Sequence, residues 1–488
     1  MNLSIIFNKL IIFFPIIILL FSVFFIFLSI ALYRNYFFVF IVTVFSFLFS
    51  LLFYFFILKF ISLPFVFSRL IFIDYYSLYY SVIILFTSLF TCFFSYSWLN
   101  NFNINKEEFY LLLLLSTIGS LLVIISNNMM LFFVSIELLF FPLFGLICYL
   151  RCNNSLESSL KYIILSNIST IFLLFGISLI YYITGNFNIY IFKNIFDLIS
   201  LQDKNILIFG LSMILISLFF KLSIFPFYFW IADIYQGSSF PILIYFSVVT
   251  KISIFSFLVK FFMNISIINI IPFFLIIKII SIFSIIFGNL MALIQKNIKR
   301  LLSFSSIANF GYLLLIFTNI NNKFFLIKVS TLFLLNYFFV NVGIFGIFSI
   351  LISLLKIKKN DDIFFYKGLF WRKPFLTILL TIMFLSSAGL PLTLGFVSKF
   401  YLLFFLFKKD SFLILFLVCF GIIISVYYYL KIILSLYSRN NDILYFKKYN
   451  NIDFLNIFIL FIFSFLIILF GFYPNFVIKL MKCFIPFF

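Results

Sequence analysis

Long apolar stretches separated by short polar punctuation run the whole length of this chain. A helix needs roughly 20 apolar residues to cross the hydrocarbon core of a bilayer. About fourteen stretches reach that length, at 5–32, 36–58, 78–98, 108–126, 128–150, 160–183, 205–230, 239–263, 267–288, 300–318, 324–354, 374–406, 411–437 and 454–478. The pattern predicts an all-α polytopic membrane protein. The first stretch is too long for a signal peptide and no small-residue cleavage site follows it, so it reads as a retained helix. The most polar connection is Lys356–Lys373, followed by Arg439–Asp453.

Four charges interrupt the apolar interiors. Glu137 lies in the middle of MMLFFVSIELLFFPLFGLICYL, and Lys221, Lys251 and Lys399 are placed in the same way in three later stretches. A charge at bilayer depth costs about 2.5–3.5 kcal/mol on insertion scales, and such residues mark ion pathways or proton relays. The competing reading is a static Glu–Lys pair that only orders helices.

Composition narrows the class. The 488 residues are 66% hydrophobic and 9% charged, far from the roughly 25% charged usage of soluble domains. Phe occurs 87 times and Tyr 28 times, while His is absent. AT-rich codons account for such a bias, which suits an organelle genome and leaves each single Phe with little functional information. The net charge of +20 is scattered over loops and helix ends. It therefore points to anionic lipid or neighbouring subunits, and no nucleic acid is expected as a partner. Weighing lysines and arginines on the two sides, Lys260 among the loop cations, places the 356–373 loop inside and both termini outside. The five cysteines, Cys92, Cys148, Cys152, Cys419 and Cys483, have no His to complete a metal site. They read as apolar packing. No phosphate-binding glycine loop, haem ligand or iron–sulfur spacing is present.

Proline sharpens the candidate chemistry. The seventh and twelfth stretches are each interrupted, at Pro226 and Pro391, and each carries a lysine, Lys221 and Lys399. Interrupted helices in matching positions of two halves point to a transporter's ion site, although proline is also tolerated in ordinary membrane helices. Glu137 and Lys221 are each followed five residues later by proline, at Pro142 and Pro226. Proline cannot donate to the carbonyl four residues earlier, so the carbonyls of Leu138 and Leu222 are expected to seek water or a polar side chain. Burial opposes a charged carboxyl or amine, and an opposite charge nearby restores it. A series of such groups can pass protons by electrostatic coupling alone. Lys161 stands one helical turn after Glu157, where a local surface pair competes with a channel role. Lys278 and Lys431 can snorkel to an interface. Asp233 is expected to contact a loop or helix end. Asn289, Gln295, Ser303, Ser305, Ser306, Asn309 and Tyr312 form a polar run that either lines a wet passage or enters helix ten.

Six stretches carry a resemblance: SIELLFFPLFGL, SLESSLKYIILSNISTIFLLFGISLIYYITG, FKLSIFPFYFWIADIYQGSSFPI, TKISIF, GNLMALIQKNIKRLLSFSSIANFGYLLL and SSAGLPLTLGFVSKFYL. Together, from about residue 130 to 405, they resemble the antiporter-like membrane subunits of respiratory complex I. Within that group the likeness is to the subunit 2 type, the subunit N of bacteria. Lys399 argues against the subunit 4 type, which usually has glutamate there. The chain ends too soon for the subunit 5 type. The resemblance implies fourteen helices, with two inverted five-helix repeats and broken helices 7 and 12. It implies helices 1–3 over 1–107, a first repeat over 108–263, a second over 264–437, and a C-terminal loop and helix over 438–488. It implies roles for Glu137 as the helix-5 glutamate, Lys221 as its helix-7 partner, Lys251 as the central helix-8 lysine and Lys399 as the helix-12 lysine near the exit. The family often has histidine where Tyr228 and Asn309 stand here, so water or other residues must take that part. The implied function is proton translocation in NADH:ubiquinone oxidoreductase of the mitochondrial inner membrane. FMN, iron–sulfur clusters and quinone are then held by other subunits, and sister antiporter-like subunits and lipids such as cardiolipin are partners. The rival readings are a multisubunit cation/proton antiporter, a plastid relative and a scaffold whose buried charges only pair.

Overall fold

The computed structural model describes residues 3–61, 63–67, 70–100, 102, 105–191, 201–264, 271–318, 323–354, 362–407, 412–439 and 451–484. Parts of the two polar connections, 356–361 and 440–450, lie outside the described residues, as do Lys193, Lys408, Lys409, Lys447 and Lys448. A backbone in lipid has no water to bond with, and a helix answers this by closing its hydrogen bonds within one segment. Among the described residues, thirteen helices are long and apolar enough to cross a membrane. Two half-length apolar helices, Pro374–Ala388 and Leu394–Phe407, make up the twelfth expected stretch. They bring the total to the fourteen that the hydropathy predicts.

The chain folds as two compact units. One comprises Met1–Lys221 with Val248–Asn269; the other comprises Leu222–Ser247 and Ile270–Cys483. The segment Leu222–Ser247, which falls in the first expected repeat, therefore packs with the second unit. In the first unit, helix Glu107–Ile125 packs along Met129–Ile147. A Cβ on Gly119 of the first helix would meet the backbone of Leu138 and Leu139, so the two backbones touch one residue away from Glu137. Hydroxyl side chains survive in these apolar helices by bonding their own backbone. In helix Tyr75–Leu99, for example, Thr87 donates to the Ile84 carbonyl at 2.7 Å and Thr91 to the Ser88 carbonyl at 2.7 Å. The helical span Phe240–Asn264, which carries Lys251, is buried over its entire apolar window.

Two departures from the predicted pattern matter. The seventh helix does not continue to 230: helix Leu201–Leu222 stops where Ser223 takes a positive φ of 58°. Pro226 has no N–H for the Leu222 carbonyl, and the residue before a proline avoids the helical region. An irregular turn then leads to the short helix Ile231–Gly237. In the first unit, a small antiparallel hairpin pairs Phe65 with Ile73 and Phe67 with Ile71. Three-residue strands leave no readable period in the sequence.

Candidate functional site

Glu137 sits on helix Met129–Ile147, which runs on through Pro142 without breaking. Its side chain is half-buried, and Oε1 is buried with no hydrogen-bond partner among the described residues. Lys221, in the last turn of helix Leu201–Leu222, is only 2% exposed. Its Nζ also lacks a hydrogen-bond partner among the described residues, so it forms no direct hydrogen bond with Glu137. The amine stands 4.0 Å from the centre of the Phe140 ring, and Glu137 is close enough to act on it electrostatically. The Leu222 carbonyl, freed by Pro226, accepts a hydrogen bond from Ser223 Oγ at 2.5 Å. A polar side chain takes it.

Lys251 is 1% exposed and opens helix Lys251–Asn264, directly after a π-helical turn over Phe246–Thr250. Such turns appear often at functional sites. Lys161 pairs with Glu157 at 2.7 Å on an exposed face of the chain, as its spacing allowed. Lys260, expected among the loop cations, is instead buried. Its Nζ donates to the Ile124 carbonyl at 2.6 Å and the Phe72 carbonyl at 3.3 Å, with Asp74 at 4.0 Å. The amine reaches this place because the C-terminal carbonyls of helix Glu107–Ile125 and the Asp74 cap of helix Tyr75–Leu99 meet there.

In the second unit, Asp233 contacts the start of a helix, as its position suggests: Arg300 Nη2 donates to it at 2.8 Å. Pro226 is exposed within the irregular turn. Tyr228 stands in an aromatic stack, with its ring 4.5 Å from that of Phe287.

Lys399 is placed at the break of the twelfth helix. Helix Pro374–Ala388 ends at Gly389, whose φ is +81°, and the chain resumes a helix at Leu394. The amides of Gly389 and Leu390 turn back to Leu385 and Ser386. Pro391 cannot serve the Ser387 carbonyl, four residues before it. Lys399 Nζ supplies the missing donor, at 3.0 Å to Ser387 O and 2.7 Å to Ala388 O, with Ser425 Oγ at 3.4 Å. A cation at the carbonyl end of a helix is also favoured by the helix dipole.

Beside this amine lies a cavity of about 20 Å³ lined by Lys399, Ser305, Asn309, Asn336, Tyr337, Asn341, Ser387 and Tyr429, among others. That is enough room for a water molecule, which needs roughly 10–15 Å³ and several polar partners. Ser305 and Asn309 of the polar run thus face a polar hollow. Asn289 belongs to a neighbouring set: its Nδ2 donates to Tyr312 OH at 3.2 Å, and its Oδ1 accepts from Tyr428 OH at 3.3 Å. Tyr337 OH donates to the Ser247 carbonyl at 3.1 Å, and Ser386 Oγ donates to Asn336 Oδ1 at 2.8 Å. The sequence reading missed Asn336, Tyr337 and Asn341. Two asparagines inside helix Lys323–Leu354 are a signal of the same kind as the lysines.

Residues 126–425 match the family described as NADH:quinone oxidoreductase/Mrp antiporter, transmembrane. The NADH-quinone oxidoreductase subunit N of Buchnera aphidicola subsp. Acyrthosiphon pisum (strain APS) is 41% identical over 477 residues, 96% of this chain and 97% of its own length. That of Buchnera aphidicola subsp. Schizaphis graminum (strain Sg) is 40% identical over 474 residues, with the same coverage. Among solved structures, a chain of respiratory complex I from Thermus thermophilus with bound aureothin gives a TM-score of 0.78 at 24% identity, covering 95% of this chain and 98% of that one. A chain of the Mrp complex from Dietzia sp. DQ12-45-1b gives 0.80 at 15% identity, covering 96% of each. At those identities the likeness is one of fold.

Proposed function

The chain belongs to the NADH:quinone oxidoreductase/Mrp antiporter transmembrane family, and we propose that it is the subunit-N-type, proton-translocating membrane subunit of an NADH:quinone oxidoreductase. Near-full-length identity of 41% and 40% to two subunit N proteins supports the choice within the family. The observation that carries the chemistry is Lys399, a buried amine set on two helix-end carbonyls beside a polar cavity. Such an amine has a fixed place, a polar outlet and a reason to sit in an apolar helix. Half-buried Glu137 and buried Lys221 stand close enough for the charge of one to influence the other, and Lys251 is a third candidate, enclosed in its span. FMN, iron–sulfur clusters and quinone belong, on this reading, to partner subunits. Other membrane subunits and anionic lipid such as cardiolipin are its neighbours.

Both relatives come from bacteria, so an AT-rich composition does not select an organelle. The reading favoured is a bacterial energy-coupling membrane, ahead of the mitochondrial inner membrane or a plastid. The second reading is an Mrp-type antiporter subunit, which the family description and the shared fold both admit. Isolation of the tagged chain from native membranes distinguishes the two. Co-isolation with flavin-containing, NADH-oxidising subunits is the expected result. An assembly that exchanges cations for protons and oxidises no NADH contradicts the proposal.

A further inference from the structure

Phe140 follows Glu137 by three positions, and residues so spaced lie on one face of a helix. The Phe140 ring centre is 4.0 Å from Lys221 Nζ, and the two residues are 3% and 2% exposed. The ring is held in place. Tyr162 lies against it at 5.9 Å and meets Phe144, one turn further on, at 5.1 Å edge to face. A ring face attracts an ammonium through its quadrupole, and more strongly where water is excluded. Glu137 Oε1 and Lys221 Nζ each lack a hydrogen-bond partner among the described residues. The ring, not the carboxylate, therefore makes the closest described contact of this amine.

We infer that Phe140 is a second seat for the Lys221 ammonium, alternating with the Glu137 carboxylate, and so a positioning residue for proton translocation. The inference rests on the reading of Lys221 as a proton-handling group. With the carboxylate as its only partner in water-poor surroundings, the amine is locked at contact distance, because Coulomb attraction there is strong. A ring on the same helix face gives the charge an intermediate place. The amine moves between the two seats by side-chain rotation and keeps its three N–H bonds throughout. Each seat presents a different field to the next amine in the series. The chain holds 87 phenylalanines, so only the geometry singles this one out.

The test uses the assembled complex with one, two or three fluorines on the ring at position 140, alongside Phe140→Leu and Lys221→Met, and measures NADH-driven proton uptake. Fluorine drains the ring's negative face with little change of shape. Uptake is expected to fall stepwise, roughly tenfold by three fluorines, with Phe140→Leu at or below that level. A flat fluorine series overturns the inference even if Phe140→Leu fails, because packing alone then explains the site. Normal uptake by Phe140→Leu overturns it too. Normal uptake by Lys221→Met is a different failure, since it removes the reading of Lys221 on which the seat depends.

Discussion

Two lysines look alike in the sequence and differ in the structure. Lys221 and Lys399 each sit in a long apolar stretch interrupted by proline. Lys399 follows its break, reaches back, and satisfies two carbonyls that the break exposes. Lys221 precedes its break, and the carbonyl exposed there is taken by Ser223. Its own amine lies on a ring, with no hydrogen bond among the described residues. Which side of the break the lysine occupies decides whether its charge is tied to the backbone. A tied amine supports the fold and the chemistry together, while an untied one is free to serve chemistry alone.

Removing each amine should show that difference. Lys399→Met orphans two buried carbonyls, each costing about 1–3 kcal/mol. We expect a loss of about 2–6 kcal/mol in stability, seen as poor assembly and a lower unfolding temperature, together with loss of proton uptake. Lys221→Met loses no hydrogen bond, and methionine fills apolar space readily. It should assemble with stability within about 1 kcal/mol of the native protein and still lose proton uptake. Equal thermal stability of the two variants would erase the contrast. Gly389→Ala should fall between the two in stability and below both in its effect on pumping. The φ of +81° disfavours a side chain, and a Cβ there would come within 2.6 Å of Lys399 Cδ. We expect about 1–3 kcal/mol of destabilisation and partial loss of pumping, measured by thermal unfolding and proton uptake in one preparation.

The fold was legible wherever hydropathy and length suffice, which is nearly everywhere. Pro391 and Lys399 correctly marked the broken twelfth helix. Pro226 marked the seventh, but the helix ended four residues earlier, at the carbonyl that proline leaves unbonded. The hairpin at Phe65–Phe67 and Ile71–Ile73 was not legible, because strands of three residues carry too few alternations. Charges in the middle of apolar stretches were legible because their cost is highest at bilayer depth. Partners were not: Lys260 read as a loop cation, yet its stem is long enough to carry the amine to Ile124 and Asp74. Phe140 was invisible among so many rings, and Asn336 and Asn341 were overlooked although they stood out from their helix.

The central claim is that buried amines of this chain carry charge for proton movement. Lys251 tests it most directly, since it is 1% exposed on the most enclosed span. Lys251→Met keeps the length and removes the cost of burying an amine, so a scaffold should tolerate or welcome it. The measurement is proton uptake per NADH oxidised, in complex shown to be assembled. The account predicts an assembled complex that has lost proton uptake and reduces quinone more slowly. An assembled Lys251→Met complex with native proton uptake per NADH contradicts it.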